Sequence, residues 1–283
     1  MLTVVLAALS GLVWGIGDFA GGKATQRAAA LSVVWLSKLV SLPLLAVYFM
    51  LLYVPLTGGS LVWGAVGGAI GLVGVWLFYR ALSAGAMTVV APITAVTSAA
   101  IPVLVGLLQG ERPEGVRLVG VCCALIAIAL VSLAPRPAGQ PLVVTPRLIS
   151  YAFAAGLSFA LFFVSMAQAG DAAGGNPGLW PIAASQLSAL LVGGLLLVLT
   201  RPGGRPRGGS FGWTLVAGPF DMTANALYLL ATRTGALSIV APLAALYPVT
   251  TVLLALLVDR ERLRLLQVAG LLLAAVALVL VST

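Results

Sequence analysis

Residues 80–132 and 230–282 repeat one another at a constant offset of 150. Gly85 aligns with Gly235, Val90-Ala91-Pro92 with Val240-Ala241-Pro242, and Glu111-Arg112 with Glu261-Arg262. Gly120, Ala124, Ala127 and Val131-Ser132 align with Gly270, Ala274, Ala277 and Val281-Ser282. No gap interrupts the match. A chain duplicated in this way must build two like units and join them. Both copies are strongly apolar, so the repeat is a membrane repeat.

The rest of the composition agrees. Of 283 residues, 61% are hydrophobic and only 8% charged. A soluble domain carries about 25% charge, so a water-soluble fold is excluded. The 33 glycines suit closely packed membrane helices. The net charge of +8 comes from Arg and Lys concentrated in loops. They form no single wet basic face of the kind nucleic acid needs. The chain contains no His, which removes the commonest general base and metal ligand. No catalytic constellation, metal site or cofactor is expected, and no enzyme. Cys122 and Cys123 are neighbours on one helix, point in different directions and read as small buried hydrophobes. No nucleotide-binding loop is present, so ATP coupling within the chain is not expected. Met1-Leu2-Thr3 lacks the basic start of a signal peptide, so the first apolar segment is expected to remain as a span.

A membrane span needs about 20 apolar residues. Ten segments meet this: 3–20, 31–53, 61–82, 87–108, 115–133, 147–168, 178–200, 211–232, 237–258 and 264–282. The connections are short. The Pro/Gly-rich stretch 136–146 divides the chain into a five-span repeat over 1–135 and a second over 147–283. Five is odd, so each half enters the membrane from the side opposite to the other. The expected fold is therefore all-α and integral to the membrane, ten transmembrane helices as two inverted five-helix repeats. Such repeats place a site at the midplane.

Loop charge sets orientation. One set of faces holds Lys23, Arg27, Arg80, Arg136, Arg147, Arg201, Arg205, Arg207, Arg260, Arg262 and Arg264. The other holds Arg112, Arg117 and Arg233. The bias of eleven to three predicts external termini and a cytoplasmic loop after each odd-numbered span.

The repeat, the spans and several motifs resemble the EamA type of the drug/metabolite transporter superfamily. The matching residues are Trp14-Gly15, Tyr79-Arg80-Ala81-Leu82 leading to Gly85, Ala91-Pro92, Gly110-Glu111-Arg112 and Gly120. The second half matches at Tyr228, Ala231, Gly235, Ala241-Pro242, Glu261-Arg262 and Gly270, and departs at Asp259-Arg260, where the first half has Gln109-Gly110. The resemblance covers the whole chain. It implies a basket of ten helices around a central cavity lined by spans 1, 3, 4, 6, 8 and 9. It also implies alternating access, often in efflux of amino acids or other small metabolites.

Ionisable groups inside spans are costly and face a cavity or a partner. Asp221, Asn225 and Tyr228 share one face of span 8 at mid-membrane depth and are expected to line the cavity. An unpaired carboxylate there suits a proton-linked cycle or a substrate amino group. Asp18 lies about 6 Å from the end of span 1, and Lys38 about 10 Å into span 2 from the same side. Similar depth predicts an Asp18–Lys38 pair, structural or gating. Trp14, one turn from Asp18, is a stacking surface for an organic cation or an aromatic ring. Trp76, Tyr79 and Tyr247 complete the candidate substrate contacts. Pro92 and Pro242 read as matched helix kinks. Gly64, Gly67, Gly68, Gly71 and Gly74 give span 3 a small-residue face for close helix contact. Glu111, Glu114, Asp259 and Glu261 read as loop-edge caps.

The leading reading is a secondary active transporter of a small polar or zwitterionic metabolite, amino-acid-like or an organic cation, working as an exporter. The expected location is the plasma membrane of a bacterial cell. The expected partners are the small-molecule substrate, membrane lipid and a coupling proton, with no nucleic acid, in a monomer or homodimer. Two alternatives stand beside it. One is a flippase for lipid-linked sugars in the same superfamily, which needs a lateral opening. The other is a membrane enzyme on lipid substrates, which needs clustered acids or a metal at one interface.

Overall fold

The computed structural model describes residues 1–51, 56–83, 87–133, 145–260 and 263–283, leaving out the side chains of Tyr79, Leu82, Ser83, Met87 and Thr88. Among these residues the secondary structure is helical. The helices are α1 (Leu2–Thr25), α2 (Ala30–Val40), α3 (Leu42–Leu51), α4 (Gly58–Ser83), α5 (Met87–Leu108), α6 (Gly115–Val131), α7 (Pro146–Asp171), α8 (Trp180–Thr200), α9 (Gly209–Thr232), α10 (Leu237–Ala244), α11 (Tyr247–Val258) and α12 (Leu265–Ser282). With no water in hydrocarbon to satisfy the backbone, apolar segments of this length close their hydrogen bonds internally. Among the described residues, eight segments are long and apolar enough to cross a membrane, counting Ala30–Leu51 and Leu237–Val258 as one each. Gly115–Val131 is apolar but shorter. The outward faces carry large apolar side chains: Leu191 is 66% and Leu272 66% exposed. Such exposure is stable in lipid, where it would drive association in water.

Helix starts follow local chemistry. Thr145 accepts a hydrogen bond from the Leu148 N–H (3.2 Å) and Pro146 follows it, an N-cap with proline where no amide partner exists. Proline also marks the first turn of α8 and of α11. The α2/α3 break falls at Ser41, just before Pro43. There Gln186 Nε2 of α8 donates to Ser41 Oγ at 2.6 Å.

The second break, at Ala245-Leu246, separates two unlike pieces. Every residue of α10 is buried, whereas no residue of α11 is. Pro248 has no N–H to continue the ladder. The interruption therefore lies after Pro242, while α5 runs unbroken through Pro92 and Pro102. The two prolines expected as matched kinks sit in unlike surroundings, because only the second is followed closely by another proline, Pro248.

Glycines set the closest helix contacts. A Cβ on Gly64 or Gly68 would run into the α8 backbone at Pro181 and Ser185. Gly67, Gly71 and Gly74 face α7 instead, at Phe162, Ser165 and Ser158. One helix thus carries two small faces for two neighbours. Gly11 and Gly15 of α1 lie against the carbonyls of Ala244 and Tyr247 at the α10/α11 break.

Contacts between loops define two ends. At one, Thr3 Oγ1 donates to the Thr234 carbonyl (2.9 Å) and Arg233 Nε to the Gly175 carbonyl (3.2 Å). Glu111 is at this end, accepting from the N–H groups of Leu237 (2.7 Å) and Ser238 (2.8 Å). The loop-edge cap expected of Glu111 is thus a bidentate cap on α10, a helix far away in sequence. At the opposite end Lys23 pairs with Asp259. Ser210 Oγ donates there to the Ala24 carbonyl (2.6 Å), and the Ala29 N–H to the Gly204 carbonyl (2.8 Å).

Candidate functional site

A cavity of about 170 Å³ lies among α1, α2, α4, α5, α7, α8, α9 and α11. About 10–15 Å³ suffices for one water, so there is room for a small solute. Three charged groups face it: Asp18, Lys38 and Asp221. Lys38 Nζ lies 2.5 Å from Asp221 Oδ2, with the two side chains 18% and 32% exposed.

The backbone explains this pairing. A Cβ on Gly218 would overlap the Ser37 carbonyl, so only glycine lets α2 come this close to α9. Lys38 follows Ser37 and Asp221 is three residues beyond Gly218, so the close approach brings the two charges together. The expected Asp18–Lys38 pair does not form in this conformation. Asp18 makes no ion pair or hydrogen bond among the described residues, and its side chain is accessible through the cavity. Depth along the spans was the signal for that expectation; azimuth around α2, set by Gly218, decides the partner.

Asn225 lines the cavity too, and its Nδ2 donates to the Asp221 carbonyl at 2.6 Å. Tyr228 departs from the expected stripe. It is fully buried, and its hydroxyl donates to the Phe163 carbonyl of α7 at 3.2 Å. Seven residues, about two turns and roughly 10 Å along the same face, carry it beyond the cavity to the α7 contact. Trp14 lines the cavity, its ring 5.4 Å from that of Phe163 and 5.8 Å from that of Tyr228. It is a wall held by an aromatic cluster. Tyr247, at the start of α11, lines the cavity beside Ser98.

Trp76 lies off the cavity. The Arg80 guanidinium sits 4.4 Å over its ring, a cation–π contact one turn along α4. The side chain of Tyr79 is outside the described residues, as are Gly85, Glu261 and Arg262. Sequence reading missed Ser98, Ser185, Phe159 and Phe162, all on the cavity wall. Serines within apolar runs were a usable signal. Phe159 and Phe162, spaced as neighbours on a helix face, look like packing residues and carried none.

The arrangement sets two carboxylates and one ammonium in a confined space. An ammonium and a carboxylate that already pair can each be exchanged for the opposite group of an incoming zwitterion. The unpaired Asp18 can take a proton or a cationic group.

A family model described as the EamA-like transporter family matches residues 1–133 and 146–283. No curated protein matches the sequence. A solved crystal structure shares the fold, with a TM-score of 0.79 and 15% identity, covering 99% of this chain and 98% of the other. At that identity the likeness concerns the fold alone.

Proposed function

The chain belongs to the EamA-like transporter family, and from that membership we propose that it is a secondary transporter exporting a small amine-bearing or zwitterionic metabolite. Membership makes it a multi-pass integral membrane transporter of the drug/metabolite superfamily. The substrate class, the outward direction and the alternating-access mechanism are our reading.

One observation carries the reading. Lys38 and Asp221, on separate duplicated halves, pair at a central cavity that also holds the unpaired Asp18. Charges at such depth are expensive unless they serve a pathway. A substrate carboxylate takes the place of Asp221 on Lys38, and its amino group is received by Asp221 or Asp18. Trp14 offers a flat apolar wall to the rest of the solute. Either free carboxylate can carry the coupling proton.

Alternating access needs two like halves that rock about the site. Ten spans in two inverted repeats meet that need, and the packing supports them. α1 lies along α9 as α4 lies along α7, the same pairing with the halves exchanged. Gly120 of α6 faces Leu280 and Val281 of α12, while Gly270 of α12 faces Leu130 and Val131 of α6. The correspondences of α4 with α9 and of α6 with α12 keep the offset of 150, while α1 and α7, which begin at Leu2 and Pro146, correspond at 144. Such reciprocity is the mark of a two-fold axis.

The test is counterflow in proteoliposomes, with amino acids, polyamines and monoamines as candidate solutes, after a thermal-shift screen on purified protein. A substrate that exchanges in wild-type vesicles should lose at least about tenfold of its flux with Asp221→Asn at equal protein level. Undiminished flux and unchanged pH dependence in that variant would remove the site from the reading.

A further inference from the structure

A second depression lies away from the central cavity. It is a groove of about 780 Å³ where α2, the end of α8 and the start of α9 meet the 201–208 loop. Trp35, Leu197, Val198 and Phe211 wall it, and Arg201 and Arg205 stand at its loop side. Leu197 and Val198 at the end of α8 adjoin Arg201 and Arg205 of the following loop, while Trp35 of α2 and Phe211 of α9 complete the apolar wall.

The site is held in shape. Arg201 caps α8 with φ 42°, its N–H bonded to the Leu197 carbonyl at 2.9 Å. Gly204, at φ 82°, accepts from the Ala29 N–H at 2.8 Å, which ties the loop to the α1–α2 connection. The Trp35 Nε1–H donates to the Leu190 carbonyl at 3.0 Å and fixes the indole against α8. Both arginines are exposed, and neither pairs with a carboxylate among the described residues, where the ion pairs are Lys23–Asp259 and Lys38–Asp221.

The occupant follows from charge and from the solvent on each side. Val198 is 67% exposed and Phe211 41%, on helices whose outer faces stand in lipid. Two guanidinium groups at the end of an apolar helix suit a phosphate at headgroup level, since Arg binds phosphate through paired N–H donors. A free phosphate gains nothing from the apolar wall; a phosphate carrying acyl chains uses both parts. We propose that this groove binds an anionic phospholipid, with its phosphate on Arg201 and Arg205 and its chains against Val198 and Phe211. Basic pockets between membrane helices hold headgroups in this way.

The experiment is native mass spectrometry of the detergent-purified full chain, titrated with phosphatidylglycerol and, separately, phosphatidylcholine of the same chains. Wild type should retain the anionic lipid preferentially. Arg201→Gln with Arg205→Gln should lower that preference about tenfold or more. Arg27→Gln with Arg147→Gln, which removes the same charge outside the groove, should leave it intact. Circular dichroism and size-exclusion profiles establish that each variant is folded, and Arg201→Lys with Arg205→Lys, which keeps the charge, should retain part of the preference. The proposal is overturned by an unchanged preference in the Gln pair or by an equal loss in the control pair. It is overturned also if millimolar glycerol 3-phosphate displaces the lipid, since the groove would then read a bare phosphate.

Discussion

Lys38 and Asp221 are joined at 2.5 Å across 183 residues of chain, at a point where the backbones of α2 and α9 nearly touch. The pair is only partly buried, and removing one partner leaves the other charge stranded beside the cavity. Lys38→Met and Asp221→Asn should each destabilise the protein. The double variant should recover part of the loss, with a coupling of about 0.5–3 kcal/mol. A thermal-unfolding double-mutant cycle in detergent measures it. Strict additivity would mean that the contact contributes nothing energetically.

Gly218 makes that contact possible, so it should be as sensitive as the charges. A Cβ there meets the Ser37 carbonyl, which is backbone and cannot rotate away. Gly218→Ala should cost about 1–3 kcal/mol by overpacking. Gly212→Ala, where nothing lies within 4 Å, should be neutral or stabilising. Equal melting temperatures for the two variants would show that α2 and α9 do not approach as described.

The reciprocal α6–α12 contact gives a test of the duplication. Gly120→Ala meets Val281 Cγ2 at 2.6 Å and Gly270→Ala meets Val131 Cγ2 at 2.7 Å. The neighbours are equivalent, so the two losses of stability should agree to within about 1 kcal/mol. A large difference between them would argue against a two-fold relation at this interface.

Glu111 joins the end of α5 to the start of α10. Glu111→Ala leaves two N–H groups without their partner and a helix N-terminus without its charge, and should cost about 1–2 kcal/mol. Glu111→Gln keeps one acceptor and should lie between Ala and wild type. Thermal unfolding ranks the three; no loss with Ala would show the cap to be idle.

Sidedness is open to a labelling test. With Cys122 and Cys123 replaced by alanine, Thr3→Cys and Arg233→Cys should react with an impermeant maleimide added outside intact cells. Arg201→Cys and Asp259→Cys should react only after the membrane is opened. The opposite pattern would overturn the orientation drawn from the Lys/Arg bias.

Much of this architecture was legible in the chain. Apolar runs and short loops located each helix to within a few residues, as at 87–108 for α5 and 237–258 for α10 with α11. The three cavity charges were visible because an ionisable side chain inside an apolar span is too costly to leave facing lipid. Their partners were not, because rotation about a helix axis depends on the neighbouring helix. Gly218 brings Lys38 to Asp221, and Tyr228, two turns along from Asp221, lies beyond the cavity with its hydroxyl on the Phe163 carbonyl. The breaks at Ser41 and Ala245-Leu246 were hidden inside uninterrupted apolar runs, and only Pro43 and Pro248 hinted at them.

The contrast between α10 and α11 has a consequence for how this chain tolerates change. One apolar run of sequence holds eight residues enclosed on all sides, followed by twelve of which none is enclosed. In the first part an added methylene has no free volume to enter. In the second, at the exposed Leu253, Leu257 and Val258, it displaces only lipid. Sequence drift should accordingly be slow before Ala245 and fast after Leu246 wherever a side chain points away from the cavity, a change of evolutionary tempo within a single crossing of the bilayer.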